Sequence, residues 1–206
     1  MRQNKINKKF IYLISPSKIK YKNFYNELDL VLSTKKVSFF QLRLKGKIKN
    51  KISIGKKIRK ICNKYKVKFL LNDDPVLAKK INADGCHLGQ EDTNIIKAKK
   101  ILKNKIIGIT CHNSVKLAKI AINNKADYLA FGSFFTTQTK KVKHKANIKI
   151  LRIIKKITNI PIVAIGGINS KNYRKLLLNK ANFLAISGYI WNNKIYNPLE
   201  AIKKLK

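Results

Sequence analysis

Acidic residues are what this chain has least of: nine Asp and Glu stand against 47 Lys and Arg in 206 residues, for a formal net charge of +38. Such an excess raises the question of a polyanionic partner, because basic surfaces release counterions from nucleic-acid backbones. Arginine is scarce as well, confined to Arg2, Arg43, Arg59, Arg152 and Arg174. The side chain best suited to forked phosphate and base-edge contacts is therefore rare, and lysine is spread along the whole length instead of forming a tract. Dedicated nucleic-acid binding is disfavoured. Solvated helix faces account for the lysines, and the joint abundance of Lys, Asn and Ile is read as the imprint of an A/T-rich codon bias. The three cysteines, Cys62, Cys86 and Cys111, form an odd set without paired spacing, which argues against a secreted disulfide framework and fits reduced thiols in a cytoplasm. Long apolar runs are missing too. The stretch Phe10-Ile11-Tyr12-Leu13-Ile14 is too short for a signal-peptide core or a membrane span, so neither export nor membrane anchoring is expected.

What is present suits one folded domain over residues 1–206, with 45% hydrophobic and 27% charged residues. Short apolar runs bounded by Gly, Asn, Asp or Pro alternate with Lys-rich segments whose apolar residues recur three or four apart, the pattern of repeated βα units. Strands are expected near 10–15, 37–44, 67–72, 85–88, 106–110, 128–132, 162–166 and 183–187, with helices such as 50–65 and 114–123 between them. Eight such units make a single (β/α)8 barrel. An internal echo supports the count: Asn82-Ala83-Asp84-Gly85, Lys125-Ala126-Asp127-Tyr128 and Lys180-Ala181-Asn182-Phe183 each introduce an even-numbered strand. These sit at strand N-terminal ends, where barrel positions serve stability, and no catalytic role is assigned to them.

The second strand puts Gln41, Arg43 and Lys45 on one face and Leu42 and Leu44 on the other. In a barrel the leucines pack outward, and an amide with two cations points inward near the C-terminal mouth. Buried cations need anions, and a bound polyphosphate would satisfy them. An edge strand with its polar face in water is the alternative. Four of the nine acids fall as Asp73-Asp74 after the third strand and Glu91-Asp92 after the fourth. Adjacent loops let Asp73 and Asp92 share one hard cation, and Mg²⁺ takes one or two carboxylates, completing its octahedron with water and substrate phosphate. Helix N-capping competes for the same residues, at Asp74 before Pro75 and at Asp92 or Thr93.

The loop after the sixth strand carries Ser133, Thr136, Thr137, Thr139 and Lys140, hydroxyls and a cation that can fold over an anion, although Thr-rich loops are common. Gly166-Gly167 follows the seventh strand at a helix start. Barrel enzymes often seat a phosphate on the loops after strands seven and eight, which pairs these glycines with Ser187-Gly188. Cys86-His87 and Cys111-His112 invite a zinc reading, but strand neighbours face opposite ways and no fourth ligand stands at metal spacing. Of the two histidines, His112 at a strand end is the better-placed site candidate, with a structural role in orienting its loop as the equal alternative.

Taken in order, Gln41-Leu42-Arg43-Leu44-Lys45, Asn72-Asp73, His87-Leu88-Gly89-Gln90-Glu91-Asp92, Gly108-Ile109-Thr110-Cys111-His112, Thr137-Gln138-Thr139-Lys140 and Ala164-Ile165-Gly166-Gly167-Ile168 resemble the thiamine-phosphate synthase family across nearly the whole chain. The resemblance implies a TIM barrel and a transferase. Its expected reaction joins 4-amino-2-methyl-5-hydroxymethylpyrimidine pyrophosphate to 4-methyl-5-(2-hydroxyethyl)thiazole phosphate, releasing pyrophosphate. It further implies that Gln41, Arg43, Lys45, Asn72, Thr110 and Lys140 contact the pyrimidine pyrophosphate, with Arg43, Lys45 and Lys140 as the catalytic cations and Asp73 and Asp92 binding Mg²⁺. Thr137, Thr139, Gly166 or Gly167, and Ser187-Gly188 are implied to hold the thiazole phosphate. Three departures stand out. Thr110 replaces the usual Ser, and Ser133 and Thr136 replace usual prolines, which implies a looser loop. The last strand runs one residue out of step, leaving Ile186-Ser187 and Ser187-Gly188 both open as the phosphate contact. A thiazole tautomerase-like isomerase is the nearest rival, disfavoured by the joint retention of Lys45, Asp73, Asp92 and Lys140. A basic binding protein has only scattered lysines in its favour, and homo-oligomerisation is left open.

Overall fold

The computed structural model describes residues 9–19, 23–46, 48–137 and 144–206. Eight parallel strands, β1 Ile11–Ile14, β2 Val37–Leu42, β3 Lys68–Asn72, β4 Gly85–Leu88, β5 Ile106–His112, β6 Tyr128–Gly132, β7 Ile162–Ile165 and β8 Phe183–Ile186, close into a barrel in sequence order. Closure comes from β1 pairing with β8, with Ile11 opposite Leu184. The connecting helices are α1 Phe24–Ser33, α2 Lys51–Lys64, α3 Pro75–Lys80, α4 Ile95–Leu102, α5 Val115–Asn123, α6 Lys149–Ile157 and α7 Tyr173–Leu178, followed by the short α8 Gly188–Trp191 and α9 Pro198–Lys203. Among the described residues no helix is long and apolar enough to cross a membrane.

Strand alternation divides the apolar residues between two cores. Outward residues such as Phe40, Leu42, Phe69, Leu71, Cys86 and Leu129 meet the buried stripes of the helices, for example Leu28, Val31 and Leu32 of α1 and Ile54, Ile58 and Cys62 of α2. Each such Leu or Ile stabilises the fold by about 1.5–3 kcal/mol on burial. Inward residues form a smaller cluster of Tyr12, Ile14, Leu70, Tyr128, Ala130, Val163 and Ala185 that fills the cylinder. Local chemistry sets the helix starts. Asp74 caps α3 by accepting from Leu77 N–H at 2.8 Å with Pro75 at the first helical position, and Ser114 caps α5 through Leu117 N–H at 3.2 Å. The α4 cap is Asn94, which accepts from Lys97 N–H at 2.9 Å, so neither Asp92 nor Thr93 is used as a helix cap.

Candidate active site at the C-terminal rim

The C-terminal ends of β2 to β5 carry one set of polar side chains. Gln41 is only 2% exposed, and its amide donates to Asn72 Oδ1 on the neighbouring strand. Asn72 pairs in register with His87 of β4. Two expected site residues thus touch each other, and a third polar residue stands beside them. Arg43 follows the end of β2, its backbone N–H donating to Ser15 Oγ at 2.9 Å. Its guanidinium is largely buried, which lowers its pKa, while Asp73 acts against that shift. Lys45 differs from expectation. The strand ends at Leu42, so the two-residue alternation no longer carries Lys45 inward; it is exposed and lines an open cavity of about 430 Å³ with Lys18, Ile19 and Leu44.

Asp73 has a left-handed backbone (φ 65°), and its N–H donates to His87 O at 2.8 Å, tying the β3 turn to β4. Asp92 Oδ2 accepts from Gly89 N–H at 2.6 Å, which orients that carboxylate over the end of β4. Asp73, Asp74 and Asp92 all raise the pKa of Cys86, which burial already pushes well above the thiol range. Asp73 and Asp74 follow β3 and Asp92 follows β4, on neighbouring strands of the barrel. Among the described residues no group of three or more His, Cys, Asp or Glu is arranged to hold a metal. The donor set here is two carboxylates from adjacent turns, hard oxygen ligands of the number Mg²⁺ takes from protein.

Of the two histidines, His87 is the more deeply buried. It lies on the inward face of the short β4, 9% exposed, with Nδ1 at 2.8 Å from Tyr128 Oη and Nε2 at 2.8 Å from Thr110 Oγ1. Burial depresses its pKa to about 4; the Arg43 charge adds to the shift and Asp92 opposes it. Alternation along Gly85-Cys86-His87-Leu88 was the signal available for this inward placement. His112, at the end of β5, packs its ring against that of His144, with 4.2 Å between centroids and 38° between planes. Gln90 also joins the site, its amide donating to Thr110 O.

Across the mouth, the first residues after β6 lie on the end of β7. Phe134 N–H donates to Ile165 O and Phe135 N–H to Gly166 O, both at 3.1 Å, and Ser133 Oγ donates to Phe135 O at 2.7 Å. These bonds tie the start of the loop to the end of β7. The close approach requires Gly166 and Gly167: their φ values are 105° and 61°, and added Cβ atoms would lie 1.9 Å from Ser133 Oγ and 2.2 Å from Thr136 O. Thr137 follows directly, half-buried. Ser187 Oγ donates to Ser15 O at 3.2 Å where α8 begins at Gly188, next to β7 around the barrel. Thr139 and Lys140 lie outside the described residues.

Residues 11–190 match the family model described as thiamine monophosphate synthase. A thiamine-phosphate synthase of Pelagibacter ubique is 73% identical over 207 residues, covering 100% of both chains. One from Rhodospirillum centenum is 38% identical over 89% of each. The solved thiamine phosphate pyrophosphorylase from Pyrococcus furiosus superposes with a TM-score of 0.84 at 30% identity, covering 97% of this chain and 94% of that one.

Proposed function

The chain belongs to the thiamine monophosphate synthase family, and from that premise we propose that it condenses the pyrimidine pyrophosphate with the thiazole phosphate on the rim described above, with Mg²⁺ between Asp73 and Asp92. The observation that carries this reading is the division of the rim into two contiguous halves. Gln41, Arg43, Asn72, Asp73, Asp92 and Thr110 lie on β2 to β5 or the turns that follow them, and Thr137, Gly166, Gly167, Ser187 and Gly188 follow β6 to β8. Two phosphorylated substrates can then face each other across one mouth.

In the reaction, the bond from the pyrimidine methylene carbon to the pyrophosphate oxygen breaks and the pyrophosphate departs with the electron pair. The pyrimidine-methyl cation is captured by the thiazole nitrogen, forming the new carbon–nitrogen bond. No strong base is needed, so the protein's work is positioning and electrostatics. Gln41 and Asn72, locked to each other, hold the pyrimidine. Arg43 and Lys140 stabilise the charge gathering on the leaving group. The glycine pair after β7 and the Ser187-Gly188 segment fix the thiazole phosphate at backbone N–H groups. A bound Mg²⁺ would supply charge neutralisation on the pyrophosphate oxygens. Three buried, unpaired thiols among the described residues support a reducing, cytoplasmic setting.

The test uses the purified chain with both substrates. Thiamine phosphate and pyrophosphate should appear in equal amounts with Mg²⁺, and turnover should stop on adding chelator. Asp92→Asn, which removes a charge and no core volume, should lower turnover about a hundredfold at limiting Mg²⁺ with the melting temperature kept. Full turnover in excess chelator would remove the metal from the reading, and loss of the synthase reaction itself would remove the rest.

A further inference from the structure

A chain of four polar side chains runs along the inward-facing apolar cluster. The hydroxyls of Tyr12 and Tyr128 are 2.8 Å apart, Tyr128 Oη is 2.8 Å from His87 Nδ1, and His87 Nε2 is 2.8 Å from Thr110 Oγ1. With the imidazole neutral, each link carries one proton, so the protons can point along the chain in only two senses. Among the described residues the Tyr12 hydroxyl has one polar partner, Tyr128; around it lie Phe39, stacked at 5.4 Å, and the inward cluster of Leu70, Val163 and Ala185. If Tyr128 donated to Tyr12, the Tyr12 proton would point into hydrocarbon, a buried donor without an acceptor, which folded proteins avoid. The opposite sense strands no donor. Tyr12 donates to Tyr128, Tyr128 to Nδ1, and Nε2–H to Thr110 Oγ1. Thr110 then accepts from within, and its own proton turns toward the mouth.

The surroundings are built to keep this arrangement. An added Cβ at Gly108 would lie 1.8 Å from Tyr128 Cζ, so glycine there is what admits the ring. The His87 ring stacks on Tyr128 with 5.6 Å between centroids and 12° between planes. Gln90 holds the Thr110 carbonyl from outside, and β-branching limits the rotamers open to its hydroxyl.

We propose that His87 is a positioning residue for the condensation: fixed as the Nε2-protonated tautomer by Tyr128 and Tyr12, it makes the Thr110 hydroxyl a donor toward an acceptor atom of the pyrimidine pyrophosphate, a ring nitrogen or phosphate oxygen and not the exocyclic amine. This rests on the assignment of Thr110 to that substrate made above. Nothing in the sequence motif distinguishes a donating from an accepting hydroxyl; the two buried tyrosines behind the histidine do.

Two measurements test it. In the full chain labelled with ¹⁵N-histidine, with the His87 ring identified by its loss in His87→Gln, the proton is expected on Nε2 at neutral pH; a proton on Nδ1 overturns the proposal. In kinetics, Thr110→Val should raise KM for the pyrimidine pyrophosphate about tenfold, the equivalent of one hydrogen bond, and leave KM for the thiazole phosphate unchanged. His87→Asn, whose amide is too short to reach Thr110, should match that rise, and His87→Gln, which can still donate from the Nε2 position, should recover most of it. In the Thr110→Val background His87→Asn should add nothing. Effects that multiply overturn the positioning role alone, because His87 then acts by another route. A KM untouched by Thr110→Val overturns instead the substrate contact on which the proposal stands.

Discussion

Gly108 and His87 show how much of this barrel's character sits in single residues. Gly108→Ala would drive a methyl group into the Tyr128 ring, which fills the cylinder and cannot move without losing its bonds to Tyr12 and His87. Overpacking and two broken buried hydrogen bonds together should destabilise the chain by about 3 kcal/mol, measured as a lower urea midpoint. His87 sets a pH dependence whose sign follows from its depressed pKa. Between 6.5 and about 4 the unfolded chain takes up a proton that the folded chain refuses. The contribution of His87 to stability is therefore complete above pH 6.5 and is lost as the pH falls toward 4, an amount of about 3 kcal/mol. Urea midpoints measured from pH 7 to 4.5 should fall for the natural chain and fall less steeply for His87→Gln; parallel slopes would assign the titration elsewhere. Asn72 entered only through the family resemblance, whereas the inward placement of Gln41 was readable because strand alternation is a local rule. The role of His87 was not, because its partners Thr110 and Tyr128 are 23 and 41 residues away and only barrel closure brings them to it.

Between residue and molecule, the recurring element is the entry into β4, β6 and β8. Asp84, Asp127 and Asn182 each donate a backbone N–H to the carbonyl of the preceding odd strand, at Phe69, Ile107 and Ile162, always at 2.8 Å. Each returns a side-chain oxygen to the N–H of the same residue, at 2.8, 2.8 and 2.9 Å. Two residues earlier, Asn82, Lys125 and Lys180 take positive φ, ending the helix before the turn. The repeat Ala-Asp or Ala-Asn thus marks one turn built three times, a geometric reason for the sequence echo and for its lack of catalytic work. Asp127→Ala should cost about 1 kcal/mol in unfolding free energy, since Ile107 N–H loses its side-chain partner. Catalysis should be unchanged, because the turn lies at the opposite end of the strands from the mouth. Element order and type were legible throughout, and the strand ends were less so. β5 runs two residues past its expected end, through a register irregularity against β6, and β2 stops two residues short. Where a strand leaves the sheet depends on neighbouring loops, here the Ser15 bridge between β1 and Arg43, and apolar patterning carries no trace of that.

Charge governs the molecule as a whole. A net +38 spread over 206 residues must be gathered on folding, and ion pairs such as Lys64 with Asp29 and Lys68 with Asp84 are largely exposed and weak. Self-repulsion therefore opposes the compact state, while the same field draws polyanionic substrates toward the mouth. Salt acts on both in opposite directions. From roughly 10 to 150 mM NaCl the Debye length falls from about 30 Å to about 8 Å. Repulsion between separate helix faces is then largely screened, and the melting temperature should rise by about 3–6 °C, equivalent to ~1–2 kcal/mol. Over the same range kcat/KM for the pyrimidine pyrophosphate should fall about tenfold as long-range attraction weakens, with kcat at saturating substrate nearly constant. Thermal melts and initial rates along one salt series at fixed Mg²⁺ check both. A flat melting curve would show that the lysines stand too far apart in water to repel. Rates that hold steady while the melting temperature climbs would mean that the surplus strains the fold without aiding capture, and a codon bias would then suffice to account for it.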